Sequence, residues 1–171
     1  HKVENELVAL ARSTIETYII DKKQMPVPKE LSEELKEKAG VFVSLHKNGQ
    51  LRGCIGTFAP TTQNVASEII ANALESAVHD PRFPALTAAE LPGLDISVDV
   101  LSAPEPVKSI KELDAKKYGV IVKSGQQKGL LLPDLAGVNT PQEQIAICKR
   151  KAGISDNETI ELFRFKVRRY E

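Results

Sequence analysis

Between Glu4 and Ile20, Leu7, Ala11, Ile15 and Tyr18 recur at three- and four-residue spacing, which predicts an amphipathic helix. Pro26-Val27-Pro28 stops it and favours an extended link, since proline has no N–H and biases its predecessor away from helix. Leu31 to Lys38 is mostly charged and reads as a short solvated helix. Val41 to Leu45 is β-branched and aromatic, hence a strand. Asn48-Gly49 then supplies a turn that tolerates positive φ, and Leu51 to Phe58 returns as the second strand of a hairpin.

The next helix is expected to be capped by Thr61 or Thr62, to run through Val65, Ile69, Ala73 and Ala77, and to end near His79 before Asp80-Pro81. Thr87 and Glu90 have capping-box spacing for a short helical turn. Leu94 to Leu101 alternates as a half-buried strand, and Pro104-Glu105-Pro106 reads as a rigid loop. Two strands follow, Gly119 to Lys123 and Gly129 to Leu132, joined by a turn at Ser124-Gly125. Thr140, Pro141 and Glu143 open a further helix that Gly153 closes. Thr159 to Val167 reads as a last strand with a basic tail. Helices and hairpins alternate without regular βαβ units. The pattern therefore predicts an α+β fold, a mostly antiparallel sheet with helices packed on it.

A chain of 171 residues can bury a full core, and it reads as one domain spanning 1–171. With 23 basic and 23 acidic residues there is no bulk field to draw nucleic acid or an anionic membrane, and 5% aromatic content offers little for base stacking. Cys54 and Cys148 form no CxxC pair and no disulfide framework, which suggests a reducing compartment, and the apolar runs are too short to span a bilayer. The expected location is cytoplasmic. The chain starts at His1 rather than Met, which points to a tag or to a segment cut from a longer polypeptide. There is no Walker or Rossmann glycine pattern and no paired-histidine motif, so no cofactor and no metal are expected.

The segment Leu51-Arg52-Gly53-Cys54-Ile55-Gly56 draws attention because it sets a guanidinium and a thiol two residues apart, on either side of Gly53, with a second glycine at 56. Taken with Phe42 to Leu45, Asp80-Pro81-Arg82-Phe83, Ile96-Ser97-Val98, Leu101 to Pro106, Gly129 to Pro133 and Leu162 to Phe165, it resembles the AMMECR domain family over nearly the whole chain. The resemblance implies a two-lobed α+β domain with the motif lining a cleft between the lobes. It also implies partners, since prokaryotic members are often encoded beside or fused to Memo-like proteins related to extradiol dioxygenases, and beside radical SAM proteins. It names no reaction.

If Leu51 to Thr57 alternates as a strand, Leu51, Gly53 and Ile55 share the core-facing side and Arg52, Cys54 and Gly56 share the other. Cys54 is then either a nucleophile or ligand-contacting thiol whose thiolate Arg52 favours, or a small buried hydrophobe. Arg52 is correspondingly an anion clamp or half of a structural ion pair. Gly53 and Gly56 leave room for a ligand or another backbone, or mark a bulge. Asp80 and Arg82 either reach the hairpin, as a carboxylate and a second cation, or fix a helix end. His79 is a candidate base for Cys54 or a charge near a helix terminus. Lys128 is a candidate anion contact or a strand-edge lysine. Cys148, in step with Ile145 and Ala152, falls on a core face.

The expectation is a site around Leu51–Gly56 that binds a small anionic ligand or substrate, with Cys54 as a reactive thiol. Arg52, Gly53, Gly56, Asp80, Arg82 and Lys128 would form the binding set, and Cys54 and His79 the catalytic pair. The alternative is a non-catalytic module that binds a Memo-like or radical SAM protein.

Overall fold

Sixteen residues of amphipathic sequence open the structure, a computed structural model that describes residues 3–171. This helix, α1 (Glu6–Asp21), is capped by Asn5, whose side chain accepts from the Leu7 N–H, and it ends on Lys22 in the left-handed region. Its buried face carries Leu7, Val8, Ala11 and Ile15. After α2 (Glu33–Lys36), strands β1 (Val41–Lys47) and β2 (Gln50–Gly56) form the expected hairpin. Asn48 and Gly49 both take positive φ at the turn, as a two-residue hairpin loop demands. α3 (Val65–Val78) follows, then a 3-10 turn (Ala88–Gly93) and β3 (Leu94–Leu101). Next come β4 (Glu105–Val107), a second 3-10 turn (Ile110–Glu112), and the hairpin β5 (Gly119–Ser124) and β6 (Gln127–Leu131). α4 (Pro141–Ala152), β7 (Glu161–Phe165) and β8 (Val167–Tyr170) complete the chain.

Two four-stranded sheets result, in the orders β2-β1-β3-β8 and β4-β7-β5-β6. The chain divides into two compact units, one reaching to Leu101 and including Arg168–Glu171, the other Ser102–Val167. In the first unit, Val41, Val43 and Leu45 of β1 and Ile96, Val98 and Val100 of β3 pack with α1 and α3 in one apolar cluster. In the second, Val120 and Val122 of β5 pack with Cys148 and Ile154. The fold is α+β with antiparallel pairing, as the hydrophobic pattern predicts.

Several local expectations need correction. The cap of α3 is Asn64, whose Oδ1 accepts from the Ser67 N–H at 2.8 Å, because the Thr61 hydroxyl donates to the Glu68 carboxylate and the Thr62 hydroxyl to the Asn64 carbonyl. The proline-rich loop contains strand β4: Pro106 lacks only the N–H, and an edge strand tolerates that loss. The terminal strand is two strands in different sheets, separated at Lys166. Leu51 does not face the core and is 40% exposed. The β1–β2 register shifts between Leu45↔Gly53 and His46↔Leu51, leaving Arg52 as an extra unpaired residue, and such a bulge breaks strict alternation.

Candidate functional site

The site grows from the β1–β2 hairpin and the side of α3 that lies against it. Gly53 is buried under α3 so closely that a Cβ would run into the Ser76 carbonyl oxygen. At Gly56 a Cβ would meet the Phe42 ring. Both glycines therefore serve close packing within the first unit.

That approach brings a polar row of α3 onto the hairpin main chain. Glu68, Asn72, Ser76 and Asp80 follow one another at four-residue spacing, and all four are buried. The Glu68 carboxylate accepts from the Thr57 hydroxyl at 2.6 Å, from the Thr61 hydroxyl and N–H, and from the Thr62 N–H. Burial works to raise its pKa, but these bonds outweigh burial and hold it below the usual carboxylate value. Asn72 Nδ2 donates to the Val41 carbonyl at 2.9 Å. The Ser76 hydroxyl accepts from the Ile55 N–H and donates to the Val43 carbonyl, both at 2.8 Å.

Asp80, just past the helix, accepts the Cys54 N–H on Oδ2 at 3.0 Å. Arg82 grips Asp80 through Nε (3.1 Å) and Nη2 (2.8 Å), and Nη2 also donates to the Cys54 carbonyl at 3.1 Å. The Arg82 bonds hold the Asp80 carboxyl far below the usual range, against the opposing effect of burial, with help from the Cys54 amide. Asp80 and Arg82 thus do reach the hairpin, at Cys54. The thiol itself lies 3.3 Å from the Ser44 hydroxyl, and the Ser44↔Cys54 register puts both residues on one face of the sheet.

Arg52 is held from another direction. Its Nε and Nη2 meet the two Glu90 oxygens at 2.8 and 3.2 Å, while Glu90 also accepts the Thr87 N–H and hydroxyl and pairs with Lys47 at 3.6 Å. Arg52 lowers the Glu90 pKa to about 2, against burial, with the Thr87 amide assisting. Phe83 connects the two arginines: the Arg52 guanidinium carbon is 5.9 Å from its ring centre and that of Arg82 is 5.5 Å. Among the described residues, Arg52 Nη1 is buried without a hydrogen-bond partner, and Arg82 bonds through its backbone N–H, Nε and Nη2 alone.

His79 is a C-terminal neighbour of α3, and its Nδ1 lies 3.2 Å from Glu75 Oε1. Its hydrogen bonding is therefore directed to Glu75, while the Cys54 thiol bonds to Ser44. Lys128 belongs to the second unit, on β6 opposite Lys123. Cys148 is fully buried, and burial raises its thiol to about 11. Among the described residues, no group of three or more His, Cys, Asp or Glu stands in an arrangement that would hold a metal ion. No helix among them is long and apolar enough to cross a membrane.

Glu68, Asn72, Ser76, Phe83 and Glu90 are site residues that the motif alone does not point to. A signal existed for the helix row, since polar residues at 68, 72, 76 and 80 run alongside the apolar stripe 65, 69, 73, 77.

The fold and this surface define a protein of two α+β units whose hairpin motif is fastened by an acid–arginine loop. The AMMECR1 family model matches residues 8–170, and the chain belongs to that family. A Thermotoga maritima protein is 50% identical over 171 residues, covering 98% of each chain. A Clostridium acetobutylicum protein is 48% identical over 166 residues, 96% of this chain but 35% of its own length. The crystal structure of an uncharacterized protein from Pyrococcus horikoshii superposes with a TM-score of 0.84 at 33% identity, covering 95% of this chain and 88% of that one.

Proposed function

We propose that the chain is a binding module for a small anionic ligand, recognised by Arg52 and Arg82 on either flank of Phe83, with Cys54 as a ligand-contacting thiol. One observation carries the reading: two guanidiniums share one aromatic ring, each is held by a carboxylate, and each keeps an Nη1 outside those bonds. The Arg82 side chain is 55% exposed and can meet an anion directly, whereas Arg52 Nη1 is enclosed and contributes its charge rather than a bond. The carboxylates also pre-orient the guanidiniums, so little side-chain entropy is lost on binding. A thiol nucleophile would call for a base, and the hydrogen bond of Cys54 goes to a serine hydroxyl. The reading therefore gives Cys54 a contact role and assigns no reaction.

Titration of the wild type and of Arg82→Gln with inorganic phosphate, followed by calorimetry, tests the assignment. Saturable binding weakened about tenfold or more by the substitution is expected, in line with one charge-assisted hydrogen bond. Absence of saturable binding, or equal binding by both proteins, contradicts it.

A second reading has its own support. In the Clostridium relative the matched region is about a third of a longer chain, as suits a module that works beside another domain. The partner class proposed is a Memo-like or radical SAM protein, and co-purification with such a protein is the check.

A further inference from the structure

β2 lies at the edge of its sheet, and edge strands present main-chain N–H and C=O groups that can pair with a strand of another chain. At the middle of β2 those groups belong to Cys54. Its close Ser44 partner marks a non-hydrogen-bonded pair of the ladder, so the Cys54 N–H and C=O point away from β1. Both are taken by side chains: the N–H by Asp80 Oδ2 at 3.0 Å and the C=O by Arg82 Nη2 at 3.1 Å. One acceptor and one donor on the same residue's two outward groups reproduce what a neighbouring strand would offer. Asp80 and Arg82 act as one piece, since they are bonded to each other at 2.8 and 3.1 Å across Pro81, which fixes its own φ and has no N–H to compete. The Asp80 carboxylate is 4% exposed and stays ionised far into acid, so the piece persists across ordinary pH. Leu51 on β2 is 40% exposed and Phe58, two residues past the end of the strand, is 39% exposed, so apolar side chains flank the edge at both ends.

We propose that the Asp80–Arg82 pair is a strand plug: it occupies the centre of the β2 edge and keeps β2 from pairing with β2 of a second copy of this chain. The pairing it prevents is antiparallel and two-fold, the isologous contact by which identical edges close a dimer. The proposal concerns the Cys54 main chain and stands apart from anion binding at the guanidiniums, although both use Arg82.

Light scattering on gel-filtered protein over a wide range of concentration reads the outcome. Asp80→Ala/Arg82→Ala is expected to shift from the wild-type mass towards double that mass as concentration rises. Adding Leu51→Lys, a charge on the opened edge, is expected to restore the wild-type mass. Should the double variant fail to fold by circular dichroism, Arg82→Ala alone, which frees the Cys54 carbonyl, is compared in its place with and without Leu51→Lys. A wild-type mass at every concentration in the folded unplugged variant overturns the proposal. So does association that Leu51→Lys leaves intact. Phosphate binding separates the two ideas: its absence from the wild type removes the anion reading and leaves the plug standing.

Discussion

Gly53 has no side chain because the space for one is filled by the Ser76 carbonyl of α3. A methyl group there must push α3 off β2, and overpacking of this kind costs about 1–3 kcal/mol. Gly53→Ala is expected to lower stability by that amount in urea unfolding, with an unchanged m-value. The motif invites a different reading, in which glycine makes room for a ligand. Periodicity could not separate the two, since whatever fills the space comes from residues 23 positions further on. Arg52 and Cys54 illustrate the same limit. Alternation puts them on one face, but the bulge at Arg52 spoils the count, and its carboxylate partner is Glu90, 38 residues away. What was legible was the residue types, and that Asp80 and Arg82 have the reach to join the hairpin.

The helix α3 carries two messages in one sequence. Its apolar stripe at 65, 69, 73 and 77 was readable as a core face, and the structure buries all four residues. Beside it runs the polar row Glu68, Asn72 and Ser76, which serves main-chain groups of the hairpin and of the loop after it. Ser76 stands between the Ile55 N–H and the Val43 carbonyl, a place where the β1–β2 ladder would otherwise close on itself. Ser76→Ala is expected to cost about 1–3 kcal/mol, because it strands buried polar groups. Amide hydrogen exchange localises the effect: protection should fall at Ile55 and hold at the α1 amides. Uniform loss across both would point to general destabilisation instead. Elements whose signals are local, such as the Thr87–Glu90 capping box and the Asn-Gly turn, were legible, although the Ser109–Glu112 box went unread. The division of the last strand between two sheets was not, since only pairing with distant strands separates β7 from β8.

For the whole molecule, the electrostatics have one sign at acid pH. Glu90 has its carboxyl lowered from 4.5 to about 2 by Arg52, and Asp80 is lowered further by Arg82. A carboxylate whose pKa is depressed on folding contributes stability that is present above its unfolded value and lost as pH falls through its folded value. The chain should therefore lose stability as pH drops from about 4.5 towards 2. Glu90→Gln should be less stable near neutrality and should lose less across that window, as measured by chemical denaturation at each pH. An unchanged pH slope would show that the Arg52–Glu90 pair is not coupled to folding. At this scale the net charge of zero said nothing about the site, because the charges that matter are paired with one another, Asp80 with Arg82 and Glu90 with Arg52.

Alkylation of native protein by iodoacetamide, with and without inorganic phosphate and followed by mass spectrometry, tests the central claim most directly. Cys148, fully buried, is the internal control and should react only on unfolding. If the Arg52–Phe83–Arg82 surface holds an anion beside Cys54, phosphate will slow Cys54 alkylation in the wild type and leave Arg82→Gln unaffected. Equal rates with and without phosphate in the wild type would contradict the account.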